Sequence, residues 1–167
     1  MIIAVSACLL GAHCRFDGEA RPSDAVKALR ENHTLVPICP ESYAKLPIPR
    51  CPNEVVAAAV GLRVVNSVGV DNTEAFRAGA RKALQRAQDA GCELAILKSK
   101  SPSCGSGRIY DGTFTGTLTE GWGVAARLFR DAGIPVIDET QVPEHLLTGK
   151  EQTRRKSSRS QKASPEL

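Results

Sequence analysis

Six cysteines are the residues of this chain best suited to chemistry, and they stand at positions 8, 14, 39, 51, 92 and 104. Three of them follow short apolar runs: Cys8 follows IIAVSA, Cys39 follows TLVPI, and Cys104 follows ELAILK after a Ser-Pro loop. If these runs are parallel strands, all three thiols emerge at the carboxyl edge of one sheet, where open α/β sheets bind ligands. The pattern predicts a metal or cluster site, with ordinary packing of three small apolar residues as the alternative.

The cysteine spacing does not choose the metal. It contains neither the C-x-x-C pairs of zinc ribbons nor the closely spaced cysteine motif of ferredoxins. A site with only three thiolate ligands would leave one coordination position open for substrate or water. Cys92 precedes a strand and therefore faces the opposite edge, so we expect it to be a packing residue. Cys14 and Cys51 lie in loops from which either could approach the same crevice.

Several motifs, in order along residues 1–140, together resemble the DUF523 family, which includes the thiouracil desulfurases. They are Ser6-Ala7-Cys8-Leu9-Leu10-Gly11 with Cys14-Arg15-Phe16-Asp17-Gly18, Cys39-Pro40-Glu41, Pro49-Arg50, and Ser101-Pro102-Ser103-Cys104-Gly105 with Tyr110-Asp111-Gly112. The resemblance implies a [4Fe-4S] cluster held by Cys8, Cys39 and Cys104, whose fourth iron binds the sulfur of a thiolated pyrimidine. The chain departs from the family at Tyr43-Ala44-Lys45-Leu46, where glycines are frequent, and at Trp122, where a small or acidic residue is usual.

Removing sulfur by adding water needs a proton acceptor and donor, and Glu41 is the candidate because it lies two residues from Cys39. Its alternative role is that of a solvated loop carboxylate or a helix cap. Ser101 and Ser103 are candidates for orienting substrate or water, although serines beside Pro and Gly are also ordinary turn formers. Arg15 and Asp17 are candidates for binding the edge of the base, or for bracing the first loop.

We therefore expect a non-redox, [4Fe-4S]-dependent desulfurase acting on a thiolated nucleobase, nucleoside or related small thioamide. The alternative is a non-catalytic zinc or iron–sulfur module with a structural or sensory site. A cysteine hydrolase using Cys8 or Cys104 as its nucleophile is a third option, but no histidine is well placed in the sequence to activate either thiol.

The elements that must position these residues alternate between strand-like and helical runs, which predicts a single open, Rossmann-like α/β domain with a mostly parallel sheet flanked by helices. Predicted strands cover 2–7, 34–38, 62–66, 93–98 and 135–138, and predicted helices cover 22–32, 73–90 and 124–132. Residues 39–53 contain four prolines and predict an irregular loop, whereas 108–118 predict a β excursion or flap.

Charge is unevenly distributed along the 167 residues. Lys and Arg number 22 against 18 Asp and Glu, but residues 150–167 hold six of the basic residues and two of the acidic ones. We predict a neutral domain over 1–149 and a disordered basic tail over 150–167, with nucleic-acid binding expected only through that tail. The six cysteines, and an amino-terminal run that reads as a strand, predict a cytoplasmic protein without membrane association.

Overall fold

The computed structural model describes residues 1–57 and 59–148. The strands are, in chain order, β1 (Ile2–Ser6), β2 (Thr34–Ile38), β3 (Asn53–Ala57), β4 (Leu62–Asn66), β5 (Leu94–Leu97), β6 (Ser106–Tyr110), β7 (Leu118–Trp122) and β8 (Val136–Asp138). The α-helices are α1 (Asp24–Ala28), α2 (Pro40–Tyr43), α3 (Thr73–Asp89), α4 (Val124–Asp131) and α5 (Glu144–Thr148), and 3-10 helices cover Ala7–Leu10 and Leu29–Glu31. The predicted boundary at residue 149 and the predicted basic tail lie outside the described residues.

Four strands form a parallel sheet in the order β2-β1-β5-β8, which confirms the predicted fold class. The chain leaves β1 toward β2 on one side and leaves β5 toward β8 on the other. The carboxyl ends of β1 and β5 therefore flank the point where the strand order reverses, and such a point forms a crevice in open α/β sheets.

Both faces of this sheet are covered, as its nearly continuous apolar strands require. On one face, alternate strand residues pack with α1, α5 and the 3-10 helices, in a cluster that includes Ile3, Val5, Leu94, Ile96, Val26, Leu29 and Leu146. On the other face, small residues let α3 and α4 lie close to the strands, in a cluster that includes Ala4, Ala95, Leu97, Ala83, Ala87, Ala126 and Phe129. The two layers fix the strand ends from which the site is built.

Two antiparallel hairpins, β3 with β4 and β6 with β7, stand beside the sheet. The flap predicted at 108–118 is the second hairpin, and its turn runs from 111 to 117. The expectation of an irregular loop over 39–53 is wrong at both ends, because α2 begins at Pro40 and β3 begins at Asn53. Proline is well suited to the first turn of a helix, where its missing N–H has no partner to lose.

Among the helices of the described residues, none has the length and apolar character that crossing a bilayer takes.

Candidate metal centre and active-site cleft

A cleft of about 680 Å³ opens at the carboxyl edge of the parallel sheet. It brings together seven residues that the sequence marked, namely Cys8, Cys14, Arg15, Cys39, Glu41, Ser101 and Cys104. Asp17, Ser103, Cys51 and the histidines are not among the residues that line it. Cys51 is exposed, and Cys92 packs at the edge of the core as expected.

Each of the three strand-end cysteines is held by the element that follows its strand. Cys8 lies in the 3-10 helix directly after β1, Cys39 is the N-cap residue of α2, and Cys104 lies in the loop after β5. Cys8 and Cys104 are buried, and all three thiols are free. The three strand-end thiols therefore lie on one cleft, which is the arrangement that a metal centre needs.

The loop that carries Cys104 is fixed by the start of α4. Amide N–H groups of Val124 and Ala125 donate to the carbonyls of Pro102 and Ser103 at 2.9 and 2.8 Å. A Cβ at Gly123 would lie 2.5 Å from the Ser103 carbonyl carbon, so only glycine allows this approach. The position of Cys104 is set by backbone packing rather than by a flexible loop.

The two serines of this loop have different environments. The Ser101 hydroxyl accepts hydrogen bonds from the amides of Ser103 and Cys104, both at 3.1 Å, and it lines the cleft. Ser103 is buried, and its hydroxyl has no hydrogen-bond partner among the described residues. Ser101 is thus placed to act on a bound molecule or on Cys104, whereas Ser103 lies behind the cleft wall.

Cys14 is a fourth thiol at the site. It hydrogen bonds to Cys39, which lowers its pKa, and to Cys8, which together with burial raises that pKa to about 11. The hydrogen bond with Cys14 and burial raise the pKa of Cys39 as well. Burial raises the pKa of Cys104 to about 12, against hydrogen bonds with Ser6 and Ser101 that lower it. Crowded, buried thiols of this kind ionise when a cationic metal centre supplies the opposing charge.

The donor set fits a cluster better than a single ion. In the described part of the chain, no group of three or more His, Cys, Asp or Glu side chains is arranged to hold one metal ion. A single zinc ion needs three or four such side chains that converge on one point, with each sulfur about 2.3 Å from the metal. An iron–sulfur cluster instead offers separate irons to thiolates that arrive from different loops. Cys8, Cys39 and Cys104, on three strand ends, match the second requirement.

Glu41 lies in the first turn of α2 and faces the same cleft. Its carboxylate lies 3.3 Å from the Arg50 guanidinium. Burial raises the pKa of Glu41, while the charges of Arg50 and Arg15 and the hydrogen bond from Arg50 oppose that rise. A carboxyl whose pKa is raised in this way binds a proton more readily than a solvated one, which suits a group that must both accept and donate a proton.

Arg15 lines the cleft, and Asp17 braces it from behind. The Arg15 guanidinium donates two hydrogen bonds to the Asp17 carboxylate, at 3.2 and 3.1 Å, and its carbon lies 5.5 Å from the centre of the Phe16 ring. The hydrogen bond from Arg15 is the main reason that the pKa of Asp17 is lowered. Arg15 is therefore the member of the pair that can reach a bound molecule.

The family model for 2-thiouracil desulfurase matches residues 3–141. This chain belongs to the 2-thiouracil desulfurase family. It is 37% identical over 151 residues to the uncharacterized protein YbbK of Bacillus subtilis (strain 168), with 87% of this chain and 100% of that protein covered. It is also similar to a solved structure of TudS, a [4Fe-4S]-dependent thiouracil desulfidase, with a TM-score of 0.77 and 42% identity, covering 87% of this chain and 95% of the other.

Several residues that line the cleft were not predicted from the sequence, and Lys98, Glu54 and Phe114 are among them. Lys98 follows β5 and is paired with Glu139, 2.5 Å away, and Glu139 also binds the Ser99 amide at 2.8 Å. Burial would raise the pKa of Glu139, but these partners lower it overall. Glu54 of β3 and Phe114 of the second hairpin also line the cleft. Lys98 ends a predicted strand and could have been found by the argument used for the cysteines, but Glu54 and Phe114 had no such signal.

Proposed function

We propose that this chain is a [4Fe-4S]-dependent desulfurase that removes sulfur from thiouracil or a related small thiolated pyrimidine. The observation that carries the proposal is the convergence of Cys8, Cys39 and Cys104 with Glu41 on one cleft. TudS, which is 42% identical, supports both the cofactor and the substrate class.

In this proposal Cys8, Cys39 and Cys104 hold the cluster. When bound, the cluster supplies a soft Lewis acid, and a thiocarbonyl sulfur is a suitable ligand for such a metal. Water replaces the sulfur of the substrate, so that thiouracil and water give uracil and hydrogen sulfide. The conversion has no net redox change and needs no external oxidant or reductant.

Glu41 moves the proton in this scheme. Its carboxylate accepts a proton from the attacking water and returns it to the departing sulfur, which calls for a group that can be both base and acid. The partial burial of Glu41 and its contact with Arg50 support this role. Arg15 binds the polar edge of the pyrimidine with Asp17 holding its guanidinium, and the Ser101 hydroxyl, anchored by two amides, orients substrate or water.

We further propose that the protein works in a reducing compartment, the cytoplasm, because all six of its cysteines are free thiols. The proposed substrate is a small molecule, and its ring must enter the cleft for its sulfur to reach the cluster that Cys8, Cys39 and Cys104 would hold.

The test is anaerobic purification followed by metal analysis and a turnover assay. We expect brown protein with close to four iron and four sulfide per chain, and release of uracil and sulfide from 2-thiouracil. Glu41→Gln should keep the iron and lose turnover by about 100-fold or more. Glu74→Gln, which changes an exposed carboxylate on α3, is the control and should keep full activity. Colourless protein after anaerobic reconstitution, or zinc in place of iron, would overturn the proposal.

A further inference from the structure

The turn of the second hairpin, residues 111–117, forms part of the cleft wall. Tyr110, Phe114 and Gly116 line the same cleft as the three strand-end cysteines. This turn lies in the segment between β5 and β8, outside the parallel sheet, and the proposed desulfurase chemistry assigns it no role. Hydrogen bonds to a neighbouring strand and within the turn itself hold its backbone in place.

A single carboxylate oxygen attaches the turn to β3. Glu54 is buried, and its Oε1 accepts hydrogen bonds from the amides of Gly112 and Phe114, at 3.0 and 3.2 Å. Gly112 has a φ of 90°, and a Cβ there would lie 2.6 Å from the Cγ1 of Val56. The turn is therefore pressed against β3 as closely as a glycine permits. A buried carboxylate costs free energy unless it is well paired, and here two amides satisfy it.

The turn is also braced internally by a row of hydroxyl groups. Thr113 donates to Asp111 at 2.5 Å, the hydroxyls of Thr113 and Thr115 lie 2.6 Å apart, and those of Thr115 and Thr117 lie 2.8 Å apart. Together with the Glu54 attachment, this row fixes the backbone that carries Phe114.

Phe114 has an unusual conformation at the tip of this turn. Its φ is 57°, in the left-handed region that bulky residues rarely adopt, and 36% of the residue remains exposed. A residue held in that region by its surroundings is a sign that its direction matters for function. Core packing does not explain Phe114, because its side chain faces the cleft instead of a buried cluster.

The aromatic surface of Phe114 suits a flat ring. The cleft also contains Phe16, but the Arg15 guanidinium lies over that ring at 5.5 Å. We propose that Phe114 is the surface against which the pyrimidine ring of the substrate stacks, and that Glu54 is the positioning residue that holds Phe114 there. This inference rests on the proposed function for its substrate, and it adds a residue that determines ring specificity.

Stacking holds substrate, product and transition state about equally, so it should change KM and leave kcat nearly unchanged. In cluster-loaded enzyme with 2-thiouracil, Phe114→Ala should raise KM by about 10-fold, in line with the loss of one base-stacking contact. Phe114→Tyr should keep a KM near that of the wild type, and Phe114→Leu should fall between them. Val60→Ala, at an apolar residue that is 92% exposed in the first hairpin, is the control and should change neither parameter.

The Glu54 variants test the positioning role. Glu54→Gln keeps a carbonyl oxygen for the two amides and should retain a nearly normal KM, whereas Glu54→Leu should raise KM as Phe114→Ala does. The double variant Glu54→Leu with Phe114→Ala should raise KM little further, because both changes remove the same contact. Additive effects, or a loss of kcat in Phe114→Ala at unchanged KM, would overturn the assignment.

Binding of the product uracil, measured by equilibrium dialysis, separates this inference from the proposed function. If the wild type binds uracil and Phe114→Ala weakens that binding about 10-fold, the stacking role stands even where no thiouracil is turned over. If the wild type and Phe114→Ala bind uracil equally well, or if the wild type binds none, the stacking role is wrong whatever the turnover assay shows.

Discussion

The Arg50 guanidinium meets the Glu41 carboxylate at 3.3 Å in a place where only 5% and 18% of the two side chains are exposed. Arg50 also donates to the backbone carbonyls of Cys14 and Pro47, at 3.3 and 3.0 Å. One side chain thus ties α2 to two separate loops of the cleft. The pair connects the stability of the site with the placement of its proposed proton carrier.

Replacing Arg50 should destabilise the fold. Arg50→Met leaves Glu41 buried without its partner, and breaking a buried pair in this way costs about 3 kcal/mol. For a chain of this size, a loss of that magnitude lowers the melting temperature by about 6 to 12 °C. Thermal unfolding followed by circular dichroism measures it.

The control for Arg50→Met is a change to a solvent-exposed ion pair elsewhere in the protein. Arg77 and Glu74 lie 3.0 Å apart on α3, with 49% and 81% of their side chains exposed. Arg77→Ala should change stability by about 0.5 kcal/mol or less. Equal effects of Arg50→Met and Arg77→Ala would show that the buried pair contributes no more than a surface pair.

The cysteines should divide into two groups by iron content. Cys8→Ser, Cys39→Ser and Cys104→Ser should each lose most of the iron, because each thiol is fixed at a strand end and a serine hydroxyl is a poor ligand for iron of this kind. Cys51→Ser, at an exposed position, should retain the full amount and serves as the matched control. Iron and sulfide analysis of anaerobically purified protein, with the visible spectrum, measures the difference.

Cys14→Ser is the informative member of this series. Cys14 interacts with two of the proposed ligands but lies on the irregular segment after the first 3-10 helix rather than at a strand end. We expect Cys14→Ser to keep its iron. Loss of iron in Cys14→Ser together with retention in Cys8→Ser or Cys39→Ser would reassign the ligand set.

The parallel sheet and the meeting of three thiols could be predicted from the sequence because both depend on local pattern. Strand β2 was predicted with its observed bounds, and α3 to within one residue, since apolar runs and helix-ending glycines are local signals. Once the strands are parallel, the positions of Cys8 and Cys39 at their carboxyl ends follow from geometry, whereas Cys104 lies in the loop after β5 and also depends on the contact of that loop with α4.

Other parts of the structure carry no local signal. Strand β3 was missed because its buried residues include Asn53 and Glu54, which break the expected apolar alternation. The contact between Glu54 and the amide of Phe114 joins residues 60 positions apart, so it exists only once the two hairpins are packed together. Helix α2 has four residues, too few for a helical period to be visible.

A glycine in α3 sets the position of α2. A Cβ at Gly79 would lie 2.0 Å from the carbonyl oxygen of Pro40, the residue between Cys39 and Glu41. Gly79→Ala improves helix propensity by about 1 kcal/mol, but it forces α2 away from α3, which costs about 1 to 3 kcal/mol. We expect a net loss of stability in urea unfolding, together with reduced iron content because Cys39 moves with α2.

Arg81→Ala is the control for Gly79, because it changes an exposed residue of the same helix to alanine. It should leave both stability and iron content close to those of the wild type. A Gly79→Ala protein more stable than the wild type would show that α2 can shift without cost, and that the close approach does not position Cys39.

Asp71 should make stability depend on pH at the acid end. Its carboxylate accepts hydrogen bonds from the Thr73 hydroxyl and amide, at 2.5 and 2.9 Å, and from Arg63 at 2.9 Å, and these lower its pKa well below the ordinary 3.8. Because the folded pKa lies below the unfolded one, the stabilisation is complete above the unfolded pKa and is lost as pH falls toward the folded pKa. Asp71→Asn should therefore destabilise the protein most near pH 7, and the difference from wild type should shrink below about pH 4. Urea unfolding at pH 7, 5, 4 and 3 measures that difference, with Glu31→Gln controlling for the loss of an exposed negative charge. A difference that stays constant from pH 7 to pH 3 would show that Asp71 stabilises the start of α3 by shape alone, without a contribution from its charge.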